Sequence, residues 1–146
     1  MVAFTKINDF VDYLGEGAFN LGSDTIKLAL SNTAPASETS NPTADGNGVL
    51  ANVTQIAYTN VSGGQPTMAS VTWTQSSGTS TFNAADEVIT ASGGAIPTFQ
   101  YIYMYSDTPT SPADPLIGLW DNGSAIDLAD GESLTFDITT NILTLA

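Results

Sequence analysis

Beyond Gly22 the apolar residues of this chain fall mainly at every second position, and no later stretch returns to a sustained helical spacing. In SDTIKLALSN, residues 23–32, Ile26, Leu28 and Leu30 share one face while Thr25, Lys27 and Ala29 share the other, the alternation of a half-buried strand. TMASVTWTQ, STFNAADEVITAS, LIGLW, AIDL, SLTFDI and ILTL follow as short apolar pieces, and in the second half turn signals separate them at roughly 8–12-residue spacing. A parallel α/β sheet needs helices between its strands, and none are written here. The pattern predicts roughly seven to nine short strands in a mainly β domain, an antiparallel β-sandwich or jelly-roll-like fold with one short N-terminal helix.

That helix is expected over about residues 5–15, where Phe4, Ile7, Phe10, Val11 and Leu14 form one apolar stripe, Thr5 is an N-cap and Gly15 and Gly17 supply a stop. A stripe of this kind packs on its own domain or docks on a partner, and packing on its own domain is the simpler reading. VLANVTQIAYTNVSGG, residues 49–64, reads as a short helical turn entering a strand. TFQYIYMYS, residues 98–106, is the most apolar strand, with Phe99, Tyr101, Tyr103 and Tyr105 on one face and Ile102 and Met104 on the other. A strand apolar on both sides is central to its sheet. Two stretches rich in Pro, Ser and Thr, at about 33–48 and 106–115, are expected as long surface loops. The 146 residues fit a single domain over 1–146.

Composition removes several kinds of function. With 15 acidic residues against two lysines, a net charge of −13 and no histidine, the chain lacks the cations that a phosphate backbone requires, so no nucleic-acid partner is expected. The same field disfavours anionic membranes, and no stretch approaches the length of apolar residues needed to cross one. MVAFTKINDF has no basic segment followed by an apolar run, so no signal peptide is expected. Without Cys, His or Arg there is no Ser-His-Asp or Cys-His arrangement and no thiolate or imidazole metal site. Neither lysine follows a phosphate-gripping glycine loop. Paired carboxylates remain, but glycosidase sites of that type call for an aromatic-lined cleft, and the chain has two tryptophans, Trp73 and Trp120. No catalytic residue and no cofactor is assigned.

One acidic stretch needs a decision. PLIGLWDNGSAIDLADGESLTFDI, residues 115–138, holds Asp121, Asp127, Asp130, Glu132 and Asp137 among glycines. Asp127, Asp130 and Glu132 are the candidates for calcium, although their order is not that of an EF-hand loop. The simpler reading makes Asn122-Gly123 and Asp130-Gly131 two hairpin turns, with Asp127 and Asp137 pointing outward from strands. The Asn52, Asn60 and Asn122 sequons are read as chance in a chain rich in Thr and Ser. The aromatic face of TFQYIYMYS is either core or the lining of a ligand groove, and core packing is favoured.

Two stretches carry a resemblance. FVDYLGEGAFNLGSDTIKLALSNTAP, residues 10–35, and SGGAIPTFQYIYMYSDTPTSPADPLIGLWDNGSAIDLADGESLTFDI, residues 92–138, are similar to a family of small structural proteins of tailed bacteriophages. The likeness covers roughly half the chain and lies in the order of the motifs. It implies a non-enzymatic head decoration or cement protein, seated on the outer surface of the capsid in the virion, bridging capsomers, partnered by the major capsid protein and by itself as a homotrimer. The elements offered for such contacts are the helix face at Phe4, Ile7 and Phe10 and the loop prolines Pro35, Pro42, Pro109 and Pro112. The alternative is a tail or fibre-tip module that binds host surface carbohydrate, which exposed aromatics and acids around a shallow pocket would favour.

Overall fold

The computed structural model describes residues 4–37, 39–45, 48–138 and 141–146. It is mainly β, with antiparallel sheets and one short helix, consistent with a β-sandwich; the strand order does not establish the jelly-roll form. The main sheet has the order β1-β7-β6-β2, where β1 is Thr5–Lys6, β2 is Ile26–Ser31, β6 is Ile96–Ser106 and β7 is Leu116–Leu128. A second layer holds a three-stranded sheet of β3 (Thr72–Ser76), β4 (Thr79–Asn83) and β9 (Leu143–Leu145), and a pair made by β5 (Glu87–Thr90) and β8 (Ser133–Phe136).

The apolar strand is central, between β7 and β2, as its two-sided hydrophobicity requires. Its inner face and those of its neighbours send Ile26, Leu28, Leu30, Ile102, Met104 and Trp120 into a core shared with Phe82, Ile89, Phe136 and Leu143 of the second layer. The Trp120 ring meets Phe136 edge-on at 4.8 Å and Phe4 at 4.7 Å, so aromatic rings tie the two layers together. The opposite face carries Ala29, Tyr103, Tyr105, Leu116 and Leu119, joined by Ile7 and Val53 in a smaller cluster. Phe99 belongs to the first cluster and not with the tyrosines, and the register between β6 and β7 is broken between Phe99 and Tyr101.

The helix is shorter than the stripe suggests. Thr5 and Lys6 are extended and pair with Leu119 and Gly118, so Thr5 is a ladder residue and not an N-cap. The Ile7 and Asn8 amides donate to Ile117 O at 3.1 Å and Ala44 O at 2.7 Å, and α1 spans only Asp9–Gly15. It ends as expected at a glycine, Gly17 at φ +77°, with the Ala18 amide donating back to Tyr13 O at 2.8 Å. Within α1 Phe10 is buried and Leu14 packs beside the core, while Val11 is 46% exposed.

The first Pro-rich loop has two parts: its described residues from 33 to 40 are exposed apart from the half-buried Pro35, as a surface loop is expected to be, while Asn41, Pro42 and Gly48 are buried and form a cover. Tyr103 donates its hydroxyl hydrogen to Pro42 O at 2.9 Å, and Leu116 N–H donates to Gly48 O, so the segment lies over the tyrosine face. It is locked by Asn41, fully buried at φ +45°, whose amide nitrogen donates to Ser31 Oγ at 2.8 Å and to Thr33 O, and whose oxygen accepts from Thr54 N–H. Glu38, Gly46 and Asn47 of this loop lie outside the described residues. The extended backbone of β1 is possible because Gly118 leaves room: a Cβ there would enter the Phe4 ring and stand 2.7 Å from Thr5 O.

Candidate functional site

The acidic C-terminal stretch is built differently from two hairpins. LIGLW, DNGS and AIDL run through one continuous strand, β7, and Asn122-Gly123 does not reverse the chain. Tyr101 pairs with Asp121 and Phe99 with Ile126, so four residues on β7 oppose one on β6. Gly123 at φ +77° absorbs the excess, its N–H donating to Asp121 Oδ1 at 2.7 Å while Asn122 Nδ2 donates to Ser124 O at 3.0 Å. The hairpin turn expected at Asn122-Gly123 is not formed: Gly123 alone of the pair takes positive φ, and a bulge uses it. Nothing local separates the two outcomes, because pairing on β6 decides between them.

The Asp130-Gly131 step does turn, with Gly131 at φ +85° and Glu132 N–H donating to Ala129 O at 2.9 Å. It is a corner between sheets, since β7 pairs with β6 and β8 pairs with β5. The three calcium candidates hold this corner together. Asp130 Oδ1 accepts from the Gly93 and Gly94 amides at 2.8 and 3.2 Å, Glu132 Oε2 accepts from Ala129 N–H at 2.8 Å, and Asp127 accepts from the Thr98 hydroxyl. Each carboxylate has its own partner, and among the described residues no three Asp or Glu side chains converge as a metal-ligand group. The Ser-Gly-Gly turn at 92–94, with Gly93 and Gly94 at positive φ, is thus fixed by the acid that looked like a ligand.

The residues offered as interface candidates separate into two groups. Ile7 and Phe10 have no exposed surface and Pro42 is buried, so these three serve the domain's own interior and are corrected as contact residues. Phe4 is half-buried on Trp120, and Pro35, Pro109 and Pro112 are half-buried on the loops. The second loop is also pinned: Thr25 N–H donates to Thr108 Oγ1 at 2.8 Å, Leu50 N–H donates to Asp114 O at 2.9 Å, and Lys27 pairs with Asp107 at 2.7 Å. Asp114 titrates above the ordinary carboxylate range, raised by burial and by Asp107 and lowered by Lys27.

A groove that the strand pattern did not indicate opens between β5 and the segment 61–67, which precedes β3. It has a volume of about 230 Å³ and is lined by residues 61–67 with Glu87 and Val88. Gly63 and Gly64 at positive φ shape one wall, and Val88, 54% exposed, forms part of the other. Burial pushes the Glu87 carboxyl up from its ordinary value. The walls offer the Glu87 carboxylate, the Gln65 carboxamide, two hydroxyls, backbone and the apolar Val61, Pro66 and Val88, and no aromatic ring on which a sugar would stack.

No protein-family model matches the chain, and neither the curated proteins nor the solved structures yield a match. Among the described residues no helix is long and apolar enough to cross a membrane.

Proposed function

We propose that the chain is a non-enzymatic structural protein of a phage virion, a decoration or cement protein that binds the outside of the head and stabilises contacts between capsomers. One observation carries this reading. The residues that looked most like chemistry, the acids of 121–132 and the tyrosines of β6, each have a bond or a packing role inside the scaffold. On this reading the protein works through surface shape, since a shell contact needs large area and many copies more than a reactive group. The motif order that resembles phage structural proteins falls on β2, β6, β7 and the 129–132 corner, so the resemblance and the architecture rest on the same residues.

The major capsid protein is the partner this reading names, with trimers of the chain formed on the shell alongside it. The carbohydrate-binding alternative gains no support from the groove at Glu87, whose walls lack a stacking ring. The test is copy number. Purified particles resolved on a stained gel are expected to carry on the order of hundreds of copies, as avidity on a shell requires. A few copies per particle, or absence from it, overturns the reading.

A further inference from the structure

No charged side chain occurs between Asp45 and Asp86, although the chain carries a net charge of −13. β3, β4 and their Ser77-Gly78 turn all fall in this neutral stretch, and β9 is uncharged as well. The three-stranded sheet is therefore built wholly from uncharged side chains. β3 is its edge, and no strand or isolated bridge among the described residues pairs with the outer side of β3.

The turn defines what that edge presents. Ser77 at φ +51° and Gly78 at φ +87° form a two-residue turn of the type I′ kind, so Ser76 and Thr79 close the ladder as a hydrogen-bonded pair. Alternation then directs the backbone groups of Ser76, Thr74 and Thr72 toward β4, and those of Gln75 and Trp73 outward. Thr72, Thr74, Gln75 and Ser76 are exposed, whereas Trp73 leans toward the core with its ring 6.5 Å from Phe82. Edge strands in monomeric proteins are ordinarily blunted by a charge, a proline or a bulge. This one has none of the three, and its register with β4 is unbroken from Thr72 to Ser76.

We propose that the free edge of β3 is an interface at which β3 of a second copy adds in antiparallel register, joining the two three-stranded sheets into one. Charge selects the occupant. Two copies repel wherever their acidic surfaces meet, and the neutral sheet is where a like-charged copy approaches at least cost. A basic partner would be drawn to the acidic surface elsewhere. Antiparallel pairing of identical strands is two-fold, so each copy offers the other the same edge and the contact closes on itself. The contact goes beyond the virion reading and stands or falls separately from it.

Sedimentation of the full chain over a range of protein and NaCl concentrations tests this. The expected result is a reversible dimer that tightens as salt rises, because screening removes the repulsion and no ion pair is lost. Gln75→Pro deletes an outward N–H without touching the β4 ladder, and Thr74→Lys places like charges near each other across the pair while lowering the net charge. Both are expected to weaken dimerisation by about tenfold or more. For Thr74→Lys the dilute protein keeps the wild-type melting curve, which separates loss of contact from loss of fold. A wild-type monomer throughout, association that weakens with salt, or association that both variants leave unchanged overturns the proposal.

Discussion

At the scale of single residues, Asn41 does the most with the least exposure. Its side chain joins Ser31, Thr33 and Thr54, and its own N–H donates to Asn52 O at 2.8 Å, so one residue stitches the loop to β2 and to the chain after the 3₁₀ turn at Leu50–Asn52. Asn41→Ala strands the Thr54 amide and places alanine at positive φ. A loss of about 2–4 kcal/mol is expected in chemical denaturation. The tyrosines set the alkaline limit. Burial pushes the Tyr58 phenol from 10.0 to about 12, with the Leu30 amide pulling the other way, and it raises Tyr103 and Tyr105 in the same direction. A folded pKa above the unfolded one gives stability that is complete below pH 10 and is lost as pH rises toward and through 12 for Tyr58. Phenolate absorbance and circular dichroism recorded together are expected to show these three rings ionising only as the fold is lost. Full ionisation of a native molecule would contradict the burial argument.

At the scale of elements, the strand pattern was legible where side chains alternate and illegible where partners decide. The central position of β6 follows from its two-sided hydrophobicity, and the alternation in β2 marks Ile26, Leu28 and Leu30 as its buried face. Ala29 and Ser31 on its other face are buried too, because the Asn41 loop covers them, and a loop rich in Pro and Ser gives no local sign of that. The short β1 reads locally as the start of a helix because Phe4, Ile7 and Phe10 fall at helical spacing, and only Gly118, far along the chain, favours the strand. The acids of the candidate site are legible as turn chemistry, but the partners that engage them at Gly93, Gly94 and Thr98 sit on other elements. For β7 the structure makes a graded forecast. Amides of Ile117 to Asp121 that face β6 are expected to exchange slowly, and those of Asn122 to Ala125, in the bulge, much faster. Residue-resolved hydrogen exchange checks it, and uniform protection along the strand would mean that the bulge is paired.

At the scale of the whole molecule, the main sheet has two dry faces, one closed by the second layer and one by the loop over Tyr103 and Tyr105. A domain arranged this way has little tolerance for a missing part. The N-terminal strand has its place only because β7 is there to receive it: Thr5 meets Leu119, and the Phe4 ring sits where Gly118 has no side chain. Contacts at such sequence separation are expensive to close and are made late. On the ribosome, residues 4–10 therefore wait for more than two thirds of the chain to be made before they have anything to hold. Chains ending before Leu116 are expected to show no cooperative melting transition, because both β1 and β6 then lack the strand they lie against. The protein is made in one direction and completed in the other, with its first residues among the last to find their place.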